Sequence, residues 1–183
     1  MKTDLKKFNA KNYYHGKNVF IRGIWMLFNR FVFSSSIPYP SAIKVFLLRC
    51  FGATIGKAVV IKPRVNIKHP WHLTINDYAW IGEGVWIDNL SKVLIGSNAC
   101  ISQGAYLCTG NHDFKKVSFD LITRGIVLED GVWIGAFSKV GPGVHAGEHS
   151  VLTMGSIITQ SMDSFGIYRG NPAVYLKKRE INP

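Results

Sequence analysis

Acidic side chains are almost missing from the first 76 residues. Asp4 stands alone there against 13 Lys and Arg, which gives the stretch a charge of +12. The remaining residues hold 9 Lys and Arg against 10 acids, so the basic character of this +11 chain belongs to one end. Such a block favours anionic partners: phospholipid, phosphorylated substrate or nucleic acid. Nucleic acid is set aside, because no zinc-finger, RNP or helix-turn-helix pattern accompanies the charge. Cysteine is scarce as well. Cys50, Cys100 and Cys108 form an odd set with no C-x-x-C, which argues against a disulfide framework and for a reducing compartment. No run of 18 uncharged apolar residues suggests a membrane span, and Met1 to Lys17 lacks the apolar core of a signal peptide. These absences read as a cytoplasmic protein. Charged residues make up 18% and hydrophobic ones 47%, the reverse of a disordered chain. The 18 glycines are dispersed over 183 residues, which disfavours a helical bundle and leaves one domain with an appendage.

Residues 1–51 form the appendage. Residues 18–33 are dense in large apolar side chains, with Arg22 and Arg30 spaced for one helix face. A second apolar stretch, 41–51, follows Pro40, and Ser41 is placed to cap it. Two readings stand side by side: helices packed over an end of the main domain, or a basic, aromatic surface that lies on a membrane.

From residue 55 a six-residue period takes over. Ile55, Ile61 and Ile67 begin it, followed by Ile75, Ile81 and Ile87, then Ile95, Ile101 and Leu107. After a gap come Leu128, Ile134, Val140, Ala146, Leu152 and Ile158. This period belongs neither to a helix nor to a simple strand alternation. It fits a triangular prism with three short strands per turn, one aliphatic side chain per strand pointing inward and glycines at tight corners. The expected fold is an all-β solenoid, a parallel β-helix over 52–160, with a short tail at 161–183. The break after Leu107 predicts an extruded loop over 113–127, and such a loop in a strict coil is more often functional than decorative.

With the interior filled by aliphatics, chemistry must lie outside. The sixth position of each unit faces outward, and His112 occupies one directly before the loop. Its imidazole can take a proton from a hydroxyl or amine nucleophile if a carboxylate or carbonyl fixes the other ring nitrogen; Asp113 and Asp88 are the candidate carboxylates. The spacing also places His72, His112 and His145 in one column, with His145 about 4.8 Å from His112. That column raises a zinc site as an alternative.

The register, together with Thr109–Phe114 (TGNHDF), Val132-Trp133-Ile134-Gly135-Ala136, Pro142-Gly143-Val144 and Gly170-Asn171-Pro172-Ala173, resembles the left-handed β-helix acyltransferases. Pro70-Trp71-His72-Leu73, the stretch Trp80–Ile87 and the string ISQGAYLCTG at Ile101–Gly110 are similar, more narrowly, to the colanic acid biosynthesis acetyltransferase family. The resemblance runs from about Arg49 to Arg179. It implies a left-handed coil and a homotrimer with active sites between neighbouring prisms. It also implies an acetyl-CoA-dependent O-acetyltransferase acting on a sugar of an exopolysaccharide or capsule precursor, with no metal. His112 matches the family's general base, with Asp113 beside it. Carried over by position, coenzyme A contacts fall on Ala136, Met154, Gly155, Thr159, Val174 and Lys177. Val174 departs from the cation of the relatives, so a phosphate contact there is lost or moves to Arg169 or Lys178. Gly82 stands in place of their sugar-binding asparagine, and Trp86, Asp88, Tyr106 and Asn111 are the acceptor candidates instead, as stacking and hydroxyl-binding groups. The resemblance implies a sugar or a lipid-linked glycan as acceptor, and the membrane reading of residues 1–51, beside that of helices packed on the coil, would add a peripheral membrane contact. The rivals are a sugar-nucleotide N-acetyltransferase, a γ-class carbonic-anhydrase-like metalloenzyme and an inactive scaffold.

Overall fold

A computed structural model describes residues 2–8 and 13–182; positions 1, 9–12 and 183 of the two terminal segments lie outside the described residues. Strands of two or three residues succeed one another around a triangular coil and pair in parallel with the strand one turn on. The first face stacks Thr54–Ile55, Leu73–Ile75, Val93–Ile95, Ile126–Leu128 and His145–Ala146. The second begins at Val60–Ile61 and ends on an antiparallel hairpin, Gly166–Gly170 with Ala173–Lys178. The third runs from Asn66–Ile67 through Trp86–Asp88, Tyr106–Cys108 and Lys139–Val140 to Ile157–Ile158.

The six-residue series sets the register. Ile55, Ile75, Ile95, Leu128 and Ala146 are stacked partners, as are Ile67, Ile87, Leu107, Val140 and Ile158. Every one of these side chains is buried. The interior series also extends past Ile158: Met162 bridges to Ala146 and Tyr168 pairs with Leu152, both buried.

Glycine serves two purposes here. Gly104 sits at a corner with φ of +66°, the left-handed region, which Tyr78 and Asn98 occupy at equivalent corners without being glycine. Gly82 is needed for a different reason: a Cβ there would lie 2.6 Å from the backbone nitrogen of Gln103 on the next turn. The glycine after each aliphatic residue is thus a close-approach glycine rather than a corner one.

Two helices close the open end of the coil, α1 at Val19–Phe28, continued by a wider turn to Phe33, and α2 at Ser41–Cys50. The first turn of a solenoid exposes unpaired backbone, which needs a cap. Side chains supply it on all three faces. Trp25 donates to the Ile67 carbonyl at 2.9 Å, and Asn29 Oδ1 accepts from the Ile67 N–H. Ser41 Oγ accepts from the Ile61 N–H at 3.0 Å and Lys44 Nζ donates to the Lys62 carbonyl at 2.8 Å. Arg49 donates to the Ile55 carbonyl at 2.7 Å. The sequence suggested Ser41 as the cap of its own helix; instead its hydroxyl is spent on the coil. No helix among the described residues is long and apolar enough to cross a membrane.

Candidate active site

The chain leaves the coil after Cys108. Gly110–His112 pairs antiparallel with Leu121–Thr123, and Ile126 re-enters the first face beside Val93. This hairpin takes His112 out of the coil register: its cross-strand partner is Leu121, whereas His145 is aligned with Val127. The expected column of His72, His112 and His145 is therefore not formed. His145 is engaged elsewhere, with Nε2 2.6 Å from Glu129, and this bond holds the Glu129 carboxyl below the usual carboxylate range.

His112 is half-buried, and its Nδ1 lies 2.9 Å from the Phe119 carbonyl. A carbonyl can only accept, so Nδ1 is the nitrogen that carries the proton in the neutral tautomer, which leaves the lone pair of that tautomer on Nε2. The Phe119 ring stacks on the imidazole at 4.4 Å and 6°, and the Phe8 ring lies tilted to the imidazole with centroids 5.9 Å apart. Phe119 adopts φ of +51°, a conformation imposed by the loop on a bulky residue. The group that orients the imidazole is thus a backbone carbonyl seven residues on, not Asp113 or Asp88. The Asp113 carboxylate accepts from the Lys115 N–H at 3.1 Å and shapes the loop turn. Asn111 Oδ1 accepts from the His112 N–H at 2.8 Å. No spacing rule in the sequence signals Phe119, because its contribution is a main-chain atom.

The other acceptor candidates meet on the third face. Trp86 packs on Tyr106 with ring centroids 4.8 Å apart, and the Tyr106 hydroxyl donates to Asp88 Oδ2 at 3.0 Å. Asp88 Oδ1 pairs with Lys68 at 2.8 Å. Burial first, then the bonds to Cys108 and Asp88, raise the Tyr106 phenol, so it stays a donor. Asn111 sits apart from this trio, in the hairpin.

The coenzyme candidates fall in two places. Ala136, Met154 and Gly155 share one corner, where the Gly155 N–H bonds the Ala136 carbonyl at 2.8 Å. Ala136 is buried while Met154 and Gly155 are exposed, and a Cβ on Gly155 would meet nothing within 4 Å. Thr159 lies at the following corner, against Gly141. Val174 and Lys177 belong to the final strand. An irregularity opposite Ile167 and Tyr168 gives that strand one extra residue, so Val174 and Lys177 share a face with Arg169, the direct partner of Val174. A cation therefore stands beside Val174 from across the hairpin. Among the described residues no cluster of three or more His, Cys, Asp or Glu side chains is arranged to hold a metal ion.

No protein-family model matches the chain. It is 38% identical over 176 residues to the Escherichia coli (strain K12) protein named as colanic acid biosynthesis acetyltransferase WcaF, covering 96% of this chain and 97% of that one. The chain belongs to the hexapeptide-repeat acetyltransferases, in the colanic acid biosynthesis branch. Its fold is accordingly the left-handed parallel β-helix, and it is an acyltransferase by family. The galactoside O-acetyltransferase of Escherichia coli (strain K12) is 27% identical over 154 residues, 82% of this chain and 74% of that one. The solved hexapeptide-repeat acetyltransferase VCA0836 of Vibrio cholerae O1 biovar eltor, a complex with acetyl coenzyme A, superposes with a TM-score of 0.81. It covers 97% of this chain and 98% of its own at 21% identity, a likeness of fold.

Proposed function

We propose that the protein is an acetyl-CoA-dependent O-acetyltransferase that esterifies a sugar hydroxyl of an exopolysaccharide or capsule precursor. The observation that carries this reading is His112, with Nδ1 tied to the Phe119 carbonyl and Nε2 left as a base. The sugar hydroxyl gives its proton to Nε2 as its oxygen attacks the thioester carbonyl carbon. The tetrahedral oxyanion then collapses, the C–S bond breaks, and the imidazolium returns the proton to the departing thiolate. The products are an acetyl ester and free coenzyme A. Nδ1–H remains bonded throughout, so the developing imidazolium is stabilised by the carbonyl dipole.

Ala136, Met154 and Gly155 form a corner open enough for the pantetheine arm, and Thr159, Val174 and Lys177 continue toward the phosphates, with Arg169 supplying the charge that Val174 lacks. Trp86, Asp88, Tyr106 and Asn111 are the acceptor contacts. The working unit is a homotrimer in the cytoplasm, held peripherally at the membrane's inner face through residues 1–51. Calorimetry with acetyl-CoA on wild type and His112→Ala tests the core of this reading. Equal binding with turnover lost only in the variant supports it; no binding to an intact wild-type protein removes it. A mild-base wash of the labelled product separates an ester from the amide of an N-acetyltransferase.

A further inference from the structure

The helical cap begins at α1, and the chain before it is fastened to the hairpin that carries His112. Residues 2–8 turn once at Leu5–Lys7, with Asp4 Oδ1 accepting from the Lys6 N–H at 3.1 Å. The Asp4 N–H donates to the Val117 carbonyl at 2.9 Å, which ties this piece to the extruded loop. The turn itself buries no residue, yet Phe8 at its end is only 40% exposed, with its ring 5.9 Å from that of His112.

Residues 13–16 are fastened at the foot of the same hairpin. The Tyr13 hydroxyl donates to the Leu90 carbonyl at 3.0 Å. The Leu90 side chain in turn packs on Gly110, which opens the hairpin, so closely that a Cβ there would lie 2.8 Å from it. Burial, followed by the Asp88 charge, pushes the Tyr13 phenol up to about 12, so it remains a donor at neutral pH. The Trp71 indole donates to the His15 carbonyl at 2.8 Å. Gly16, with φ of +78°, sits where a Cβ would lie 2.5 Å from the Trp71 ring. Tyr13, His15 and Trp71 also line, with Arg22 and Leu121, a cleft of about 670 Å³ between α1 and the third face. Leu121 is the cross-strand partner of His112, so cleft and hairpin adjoin.

A base with a free lone pair serves water as readily as a sugar hydroxyl. Size cannot keep water out, because any room made for a sugar admits it. A lack of polar partners can, since an ordered water needs roughly two to four of them. Two phenyl rings border the imidazole: Phe119, which the loop itself supplies, and Phe8, which arrives from the other end of the sequence.

We propose that the N-terminal segment is a strap that seats Phe8 against the base, and that Phe8 decides between nucleophiles by withholding His112 from water until a sugar fills the site. The inference rests on the acetyltransferase reading and adds to it a means of choosing the nucleophile. The reaction it suppresses is hydrolysis of acetyl-CoA. Water gives a proton to Nε2 as its oxygen bonds to the thioester carbonyl carbon, the C–S bond breaks, and the imidazolium returns the proton to the thiolate. The products are acetic acid and free coenzyme A.

The test uses the full chain with acetyl-CoA and no sugar. Released coenzyme A is quantified by chromatography, and acetyl-CoA affinity is measured by calorimetry on the same samples. Phe8→Ala should raise the release rate about tenfold over wild type with acetyl-CoA affinity unchanged. Phe8→Leu keeps an apolar side chain there and should restore most of the suppression. Phe8→Ala combined with His112→Ala should return release to the uncatalysed rate, because the admitted water needs the base. A strap that only stiffens the hairpin predicts the opposite sign, since a loosened base would release less. Release that is unchanged or lower in Phe8→Ala, with acetyl-CoA bound, overturns the inference and leaves the acetyltransferase reading standing. A rise that survives the loss of His112 overturns it as well. If acetyl-CoA fails to bind the folded wild type, the acetyltransferase reading falls and takes the inference with it.

Discussion

At the scale of single residues, of the carboxylate or carbonyl that could hold the His112 ring, a main-chain carbonyl takes the part. Because the Phe119 carbonyl fixes the His112 tautomer, the imidazole keeps its orientation without a carboxylate. His112→Ala should therefore lower kcat by about 10²–10⁴-fold, the range for loss of a general base, with acetyl-CoA affinity unchanged. Asp113→Asn should change kcat within about threefold, as for a surface substitution, because its contacts are to the loop backbone and Lys116. Phe119→Gly keeps the carbonyl and suits its φ of +51° but removes the stacked ring. It should lower kcat about tenfold with the KM for acetyl-CoA unmoved, the pattern of a misplaced base. A large kcat loss in Asp113→Asn would return the orienting role to the carboxylate.

His69 offers a second residue-scale consequence, on stability. It is 7% exposed, and burial, followed by the nearby His72, Lys68 and His15, lowers its imidazole from 6.5 to about 4. In the folded protein it stays neutral while the unfolded chain binds a proton near 6.5, so the unfolded state takes up more protons in between. Its contribution is complete above pH 6.5 and is lost as pH falls toward 4, up to about 3 kcal/mol in total. Denaturant unfolding at pH 7 and pH 5 should show a steeper loss for wild type than for His69→Gln. Parallel losses would mean that His69 titrates normally in the fold.

At the scale of elements, the two helices work as a lid on unpaired strands rather than as a separate unit. Lys44 is the most exacting part: it is fully buried, and its ammonium donates to the Ile61 and Lys62 carbonyls at 3.3 and 2.8 Å. Lys44→Met keeps the stem and removes the donor, leaving the two carbonyls without this partner. It should cost about 1–3 kcal/mol in denaturant unfolding. An unchanged midpoint would mean that water or another side chain takes over.

The elements also show why some of this architecture is legible in sequence and some is not. Ile61, Ile81, Ile101, Ile134 and Leu152 repeat because each coil presents the same interior, so their period translates directly into register. His112 lies where that period breaks, so extending it by counting put His145 beside it. The hairpin obeys its own antiparallel pairing and pulls the two apart. The cap is illegible for another reason. Trp25, Ser41, Lys44 and Arg49 act through contacts with main-chain carbonyls and N–H groups, most of them far along the chain, and main-chain groups leave no mark on composition. The Arg22 cleft needs α1 set against the third face, which no local pattern specifies.

At the scale of the molecule, the cap and the proposed trimer combine into one consequence. A threefold rotation keeps every atom at its height along the axis. If the axis runs along the prism, as in a homotrimer with sites between neighbouring prisms, three copies of α1 stand at the same end. The mass in solution should then be three times 20.5 kDa by light scattering. Three apolar faces, each flanked by the +12 segment, would meet a flat anionic surface together, so weak single contacts multiply. Removing residues 1–51 cannot test this, because it also uncaps the coil. Phe20→Ser, Leu27→Ser and Phe31→Ser together leave Trp25, Ser41, Lys44 and Arg49 in place. The wild type should sediment with phosphatidylglycerol vesicles, less with phosphatidylcholine, and less again as salt screens the basic segment. The triple variant should lose most of this binding while keeping the trimer mass. Vesicle binding that survives in the variant would assign the contact to charge alone, and a monomeric variant would assign the apolar face to the subunit interface instead.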